Sequence, residues 1–81
     1  MITVYVLLRI KPGSDRSVLH KVKKLAQVKT VETVYGEYDM LINVEIETLE
    51  ALDSFIFDII RTIKGVESTT TLITMEVPSE D

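Results

Sequence analysis

Nine residues near the start, Ile2-Thr3-Val4-Tyr5-Val6-Leu7-Leu8-Arg9-Ile10, constrain the fold most. Ile2, Val4, Val6, Leu8 and Ile10 fall at every second position, so they share one face of a β-strand. The opposite face carries Thr3, Tyr5, Leu7 and Arg9 and is itself half apolar. Such a strand needs a layer packed on its first face and leaves greasy surface on its second.

Pro12-Gly13 ends the strand, and Ser14 or Asp15 can cap a helix. Val18, Val22 and Leu25 follow at i, i+4, i+7 spacing, with Arg16, Lys21, Lys23 and Lys24 around them. This predicts an amphipathic helix ending near Ala26. Residues 29–35 are rich in Val and Thr and read as a second strand. It runs into Tyr35-Gly36-Glu37-Tyr38-Asp39. Gly36 can take a positive φ and close a tight reversal. Glu37, Tyr38 and Asp39 would then stand at an exposed tip. A carboxylate, an aromatic ring and free backbone groups can form the lip of a small-ligand site. They are equally the residues of an ordinary hairpin turn.

The third strand runs from about Asp39 to Glu47. Met40, Ile42, Val44 and Ile46 share one face; Leu41, Asn43, Glu45 and Glu47 share the other. Thr48 can cap a second helix, with Glu50 in its first turn, where the dipole favours an anion. Leu49, Leu52, Phe55, Ile56, Ile59, Ile60 and Ile63 form a broad apolar stripe over residues 49–63, with Phe57 at its edge. Gly65 suits a left-handed stop. A last strand spans Val66 to Val77 and stops at Pro78. One domain over residues 1–78 is expected, with a tail at 79–81.

Strand, helix, strand, strand, helix, strand is the order of the ferredoxin-like βαββαβ fold, an α+β class. Its antiparallel four-stranded sheet, order 4-1-3-2, carries both helices on one face. The first and third strands are central. The other face stays open, with Tyr5, Leu7, Leu41 and at least one of Leu72 and Ile73 on it. A contiguous apolar patch of this kind marks an interface, so two sheets stacked face to face in a two-fold dimer are expected.

Composition excludes several classes of function. The 81 residues include no cysteine and one histidine, His20, set among lysines. No disulfide, thiolate metal site or His-based catalytic pair is available. The three glycines are scattered at element ends, so there is no phosphate loop. No cofactor is implied. No apolar run has membrane-spanning length and no signal-peptide pattern opens the chain, which predicts a cytoplasmic protein away from membranes. Net charge is −4. Residues 1–31 hold seven cations and one acid, seven minus one giving +6; residues 32–81 hold two cations and twelve acids, two minus twelve giving −10. The acidic majority argues against direct nucleic-acid binding. The basic first helix reads as a solvated face or as a charge-complementary contact between subunits.

The corner Gly36-Glu37-Tyr38-Asp39, followed by a helix and then Gly65-Val66-x-x-Thr69-x-Thr71-x-Ile73, resembles the effector (RAM) domain of the Lrp/AsnC transcription regulators. The likeness spans the whole chain. Typical members carry a helix-turn-helix before this domain. Here the first strand starts at once, so the chain resembles stand-alone RAM proteins, and DNA binding is not carried over. The resemblance implies dimers through the sheet, octamer-like rings of dimers, and an amino-acid effector where dimers meet. Matched by position, Gly36, Glu37, Tyr38 and Asp39 would supply backbone groups and carboxylates, and Thr69 and Thr71 hydroxyls. It also makes full-length Lrp/AsnC regulators candidate partners. The alternatives are an ACT-like ligand-binding module, a purely structural assembly module and a small dimeric enzyme of the same fold.

Overall fold

The computed structural model describes residues 1–74. The elements are β1 (Ile2–Ile10), α1 (Asp15–Lys23), β2 (Val28–Thr33), β3 (Met40–Ile46), α2 (Leu49–Ser54) and β4 (Val66–Ile73). After Ser54 the second helix continues as a π-helical turn, Phe55–Ile59, and a 3₁₀ turn, Ile60–Thr62. The expected end of the last strand at Val77, its stop at Pro78 and the tail at 79–81 lie outside the described residues.

The sheet order is β2-β3-β1-β4, with every pairing antiparallel. This is the ferredoxin-like order expected from the sequence, with β1 and β3 central. One face of these two strands is wholly buried. Val4, Val6, Leu8, Met40, Ile42 and Val44 are all fully inaccessible and pack against Val18 and Val22 of α1 and against Leu52, Phe55, Ile56 and Ile60 of the second helix. Both helices therefore cover the same side. Among the described residues, no helix is long and apolar enough to cross a membrane.

The second helix differs from the single regular helix that its stripe predicts. The N–H of Ile60 donates to the carbonyls of both Phe55 and Ile56, which opens a wider turn. β-branched Ile59, Ile60, Thr62 and Ile63 crowd a regular helix. The Thr62 hydroxyl donates to the carbonyls of Ile59 at 2.8 Å and Asp58 at 3.4 Å, giving those carbonyls a side-chain donor. Phe55, Ile56 and Ile60 still reach the core, but Phe57 is 55% exposed. Leu49 is 56% exposed. Helical side chains lean toward the N-terminus, so the first one projects past the helix end.

The caps separate cleanly. The Ala51 N–H donates to Thr48 Oγ1 at 3.0 Å, as the sequence predicts. Ser14 occupies the corresponding position before α1 but makes no side-chain cap hydrogen bond. Gly65 sits in the turn after the 3₁₀ segment, at φ +105°, with its carbonyl accepting from Lys11 N–H at 2.8 Å. A Cβ there would stand 2.7 Å from Ser14 Cβ and 3.0 Å from Val18 Cγ2. Gly65 is thus where the β4 entry touches α1.

Two pairs of substitutions test these contacts, all read by thermal or chemical unfolding. Gly65→Ala, which combines a left-handed backbone with a steric clash, should destabilise by about 2–4 kcal/mol. Gly36→Ala, with φ +116° but no atom within 4 Å of the added Cβ, should cost only the backbone part, about 1–2 kcal/mol. Thr48→Ala should cost about 1 kcal/mol, and Ser14→Ala much less, because only the first removes a cap hydrogen bond.

Candidate functional site

Strand alternation sorts the candidate residues onto two faces. Residues directly opposite in a sheet point the same way. Leu72 of β4, Tyr5 of β1, Asn43 of β3 and Thr30 of β2 make one cross-strand row on the bare face. Thr70, Leu7, Leu41 and Glu32 make the next. Tyr5, Leu7, Leu41 and Leu72 are therefore contiguous. Tyr5, Leu7 and Leu41 are half-buried, and Leu72 is 52% exposed. Leu72 meets the expectation of at least one of the pair Leu72 and Ile73 on this face, and as a dimer-interface candidate Ile73 is corrected. It pairs with Val4 and faces the helix side, because neighbours in a strand alternate.

The bare face also holds an unmet hydrogen-bond acceptor. Asn43 Oδ1 is buried and has no hydrogen-bond partner among the described residues. A shielded polar atom without a partner costs about 1–3 kcal/mol. At the rim, Lys29 Nζ lies 3.6 Å from Glu45 Oε1. Both side chains are substantially exposed, so this pair adds little.

The corner is held by Asp39. Its Oδ2 accepts from Ile10 N–H at 2.7 Å, and its own N–H donates to the Leu8 carbonyl at 2.8 Å. The β1–β4 register shifts between Arg9 and Ile10. On the other edge of β1, where pairing with β3 ends at Leu8–Met40, the carboxylate captures the Ile10 amide, an example of a side chain replacing a ladder partner. A carboxylate has acceptor capacity for more than one donor. Asp39 also borders an open cleft with Asp15, Thr33, Val34 and Tyr35. Gly36 and Glu37 are exposed, and the Tyr35 side chain is entirely in solvent. Tyr38 turns the other way: its hydroxyl shares a 3.2 Å hydrogen bond with the Thr70 hydroxyl, with β1 lying between the two strands they extend from.

Thr69 and Thr71 sit elsewhere. They oppose Leu8 and Val6, so they face the helix side of the edge strand β4. There they line a second cleft with Asp53, Phe57, Arg61 and Ile73 around its mouth and with Leu52 and Ile56 beneath. Its volume is about 370 Å³, near the lower end of the ~300–1,000 Å³ usual for small-molecule clefts. Within one subunit the structure brings Tyr38 to Thr70, and separates the corner from Thr69 and Thr71. Sequence reasoning missed Thr70, although period-2 alternation from Leu72 places it on the bare face. It also missed Asp53, Phe57 and Arg61, whose i, i+4, i+8 spacing was the available signal.

Comparison with known proteins agrees with this architecture. The family model of the Lrp/AsnC ligand-binding domain matches residues 3–81. The HTH-type transcriptional regulator FL11 of Pyrococcus furiosus is 32% identical over 79 residues, covering 98% of this chain and 52% of that protein. The chain thus spans about half the length of the curated relatives it matches. The crystal structure of FFRP-DM1 superposes with a TM-score of 0.89 at 37% identity, covering 93% of this chain and 100% of that one. E. coli AsnC superposes with a TM-score of 0.87 at 27% identity, over 99% of this chain and 54% of that one. The order of elements, the sheet and the match over almost every residue lead to one conclusion: this chain belongs to the Lrp/AsnC family and is its ligand-binding domain.

Proposed function

We propose that this domain is a non-enzymatic sensor of a free amino acid, and that it senses by assembling. Two copies stack bare face on bare face, and dimers join further, as rings of the octamer kind, with the effector held where copies meet. The observation that carries the reading is the bare face itself. Four contiguous apolar side chains, Tyr5, Leu7, Leu41 and Leu72, lie there without cover from the described residues. A second copy would exclude water from them. Relatives described as transcriptional regulators support a regulatory rather than catalytic role. Cytoplasmic full-length regulators of the same family are the partners this reading gives the domain.

The site would be shared between copies. The corner and the Thr69–Thr71 pair lie on different sides of one subunit, so one ligand touching both takes them from two chains. Asp39 and Glu37 can accept from an ammonium; backbone N–H groups and threonine hydroxyls can donate to a carboxylate. A ligand bound at such a junction favours the assembled state by its differential affinity.

Sedimentation and calorimetry test this directly. Wild-type protein should be dimeric or larger at micromolar concentration, and at least one of the twenty amino acids should bind and shift the assembly. Leu41→Asp places a charge in the interface twice, by symmetry, and should weaken dimerisation at least about 100-fold. Asp39→Asn retains an acceptor for Ile10 N–H but removes the charge. It should leave stability within about 1 kcal/mol and weaken amino-acid binding at least about tenfold. A monomeric wild type, or intact oligomers that bind no amino acid at millimolar concentration, would refute the reading.

A further inference from the structure

Tyr35 stands at the apex of the β2–β3 corner. Tyr5 and Tyr38 are half-buried, but the Tyr35 ring is entirely in solvent. The backbone beneath it is braced. Val34 N–H donates to the Asp39 carbonyl at 3.1 Å across the corner, Asp39 N–H donates to the Leu8 carbonyl at 2.8 Å, and Gly36 makes the reversal at φ +116°. A large ring on a braced tip loses little further freedom when a partner buries it, which is how aromatic interface anchors act.

The cleft between the second helix and β4 has chemistry that matches such a ring. Phe57 stands at its mouth, 55% exposed. The Arg61 guanidinium carbon lies 5.0 Å from the centre of the Phe57 ring. One face of the planar guanidinium is therefore taken by Phe57, and the other is left for a second aromatic ring. Asp53 borders the same cleft and forms no ion pair among the described residues, where Lys29–Glu45 is the pair present. An ionised carboxylate only accepts hydrogen bonds, and a phenol hydroxyl donates one. An apolar void of ~150 Å³ is enough for benzene, and this cleft measures about 370 Å³, so a phenol ring fits. The corner leaves β2 at one edge of the sheet, whereas the cleft opens on the helix side of β4, the other edge.

We propose that Tyr35 of one copy seats in this cleft of a neighbouring copy. Its ring stacks on the open face of Arg61, and its hydroxyl donates to Asp53. The occupant is a second copy of this chain because the chain itself presents the phenol that a cation with one face open and an unpaired carboxylate would complement. The contact joins unlike surfaces, tip to cleft, so it differs from the two-fold contact of bare faces and continues from copy to copy beyond the dimer. The inference rests on the assembly reading and deepens it by naming the join between dimers. Tyr35 adjoins Gly36, so its insertion carries Gly36–Asp39 of one copy up to Thr69 and Thr71 of the next, the pairing that a shared effector site needs. Tyr35 takes the helix wall of the cleft and leaves the strand wall, with its two threonines, to the effector.

Sedimentation velocity of the full chain tests it, run with and without each of the twenty amino acids at millimolar concentration. Wild type should pass beyond the dimer, and Tyr35→Ala should stop there. Tyr35→Phe and Asp53→Ala each remove one partner of the same hydrogen bond. Each should weaken assembly beyond the dimer at least about tenfold, and the double variant should be no weaker than the weaker single. All three altered forms should keep the wild-type far-ultraviolet circular dichroism, because both side chains are exposed. Larger assemblies that persist unchanged in Tyr35→Ala would overturn the contact and leave the sensor reading intact. So would additive losses in the double variant, or a loss in Asp53→Ala with none in Tyr35→Phe, which would give the cleft a different occupant. A wild type that stays dimeric would overturn it as well, with the bare-face contact still standing, whereas a monomeric wild type would remove both.

Discussion

Everything in this domain depends on β1 having two apolar faces and only one layer of helix to cover them. Its first face is sealed by α1 and the second helix, and the six central side chains there are inaccessible. Burial of such residues is worth roughly 1.5–3 kcal/mol each, so this side defines the folded subunit. The second face, with Tyr5 and Leu7 at its centre, receives no cover from the described residues. A chain of 81 residues has limited core to draw on. Leaving that surface wet would forgo part of the stabilisation available to it. Association of two copies is the simplest arrangement that removes it from water.

The corner between β2 and β3 is tied to the same central strand. Asp39 is at once a sheet staple, through Ile10 N–H, and the wall of an open cleft. Tyr38 extends the link to β4 through Thr70. A change at the corner is thereby felt by three strands and by the bare face they form. In the proposed assembly this would give a ligand at the corner a physical route to the contact between copies. The route consists of two hydrogen bonds and a shared strand, with no need for a distant conformational switch.

Most of the fold was legible because its signals are local and repeat. Period-2 runs marked β1 and β3, a 3.6-residue stripe marked each helix, and Thr48 announced its cap. The departures come from effects that no local pattern carries. Ser14 resembles a cap, yet its side chain makes no cap bond; it packs instead where Gly65 makes room for it. The π turn at Phe55–Ile59 inserts one residue per turn without breaking the apolar stripe, so the periodicity could not reveal it. The candidate site was legible in residue type more than in place. Gly36 to Asp39 form the corner as read, but Thr69, Thr71 and Ile73 turn toward the helices while Thr70 and Leu72 do not. Which parity faces which side depends on the register with β1, and register is a tertiary fact.

Intermolecular NOEs in a sample mixed from differently isotope-labelled copies test the central claim most directly. The account predicts contacts from one copy to the other among Tyr5, Leu7, Leu41 and Leu72, with none from Ile73. A spectrum with no intermolecular contact at those four side chains, from protein at a concentration where copies associate, would contradict it.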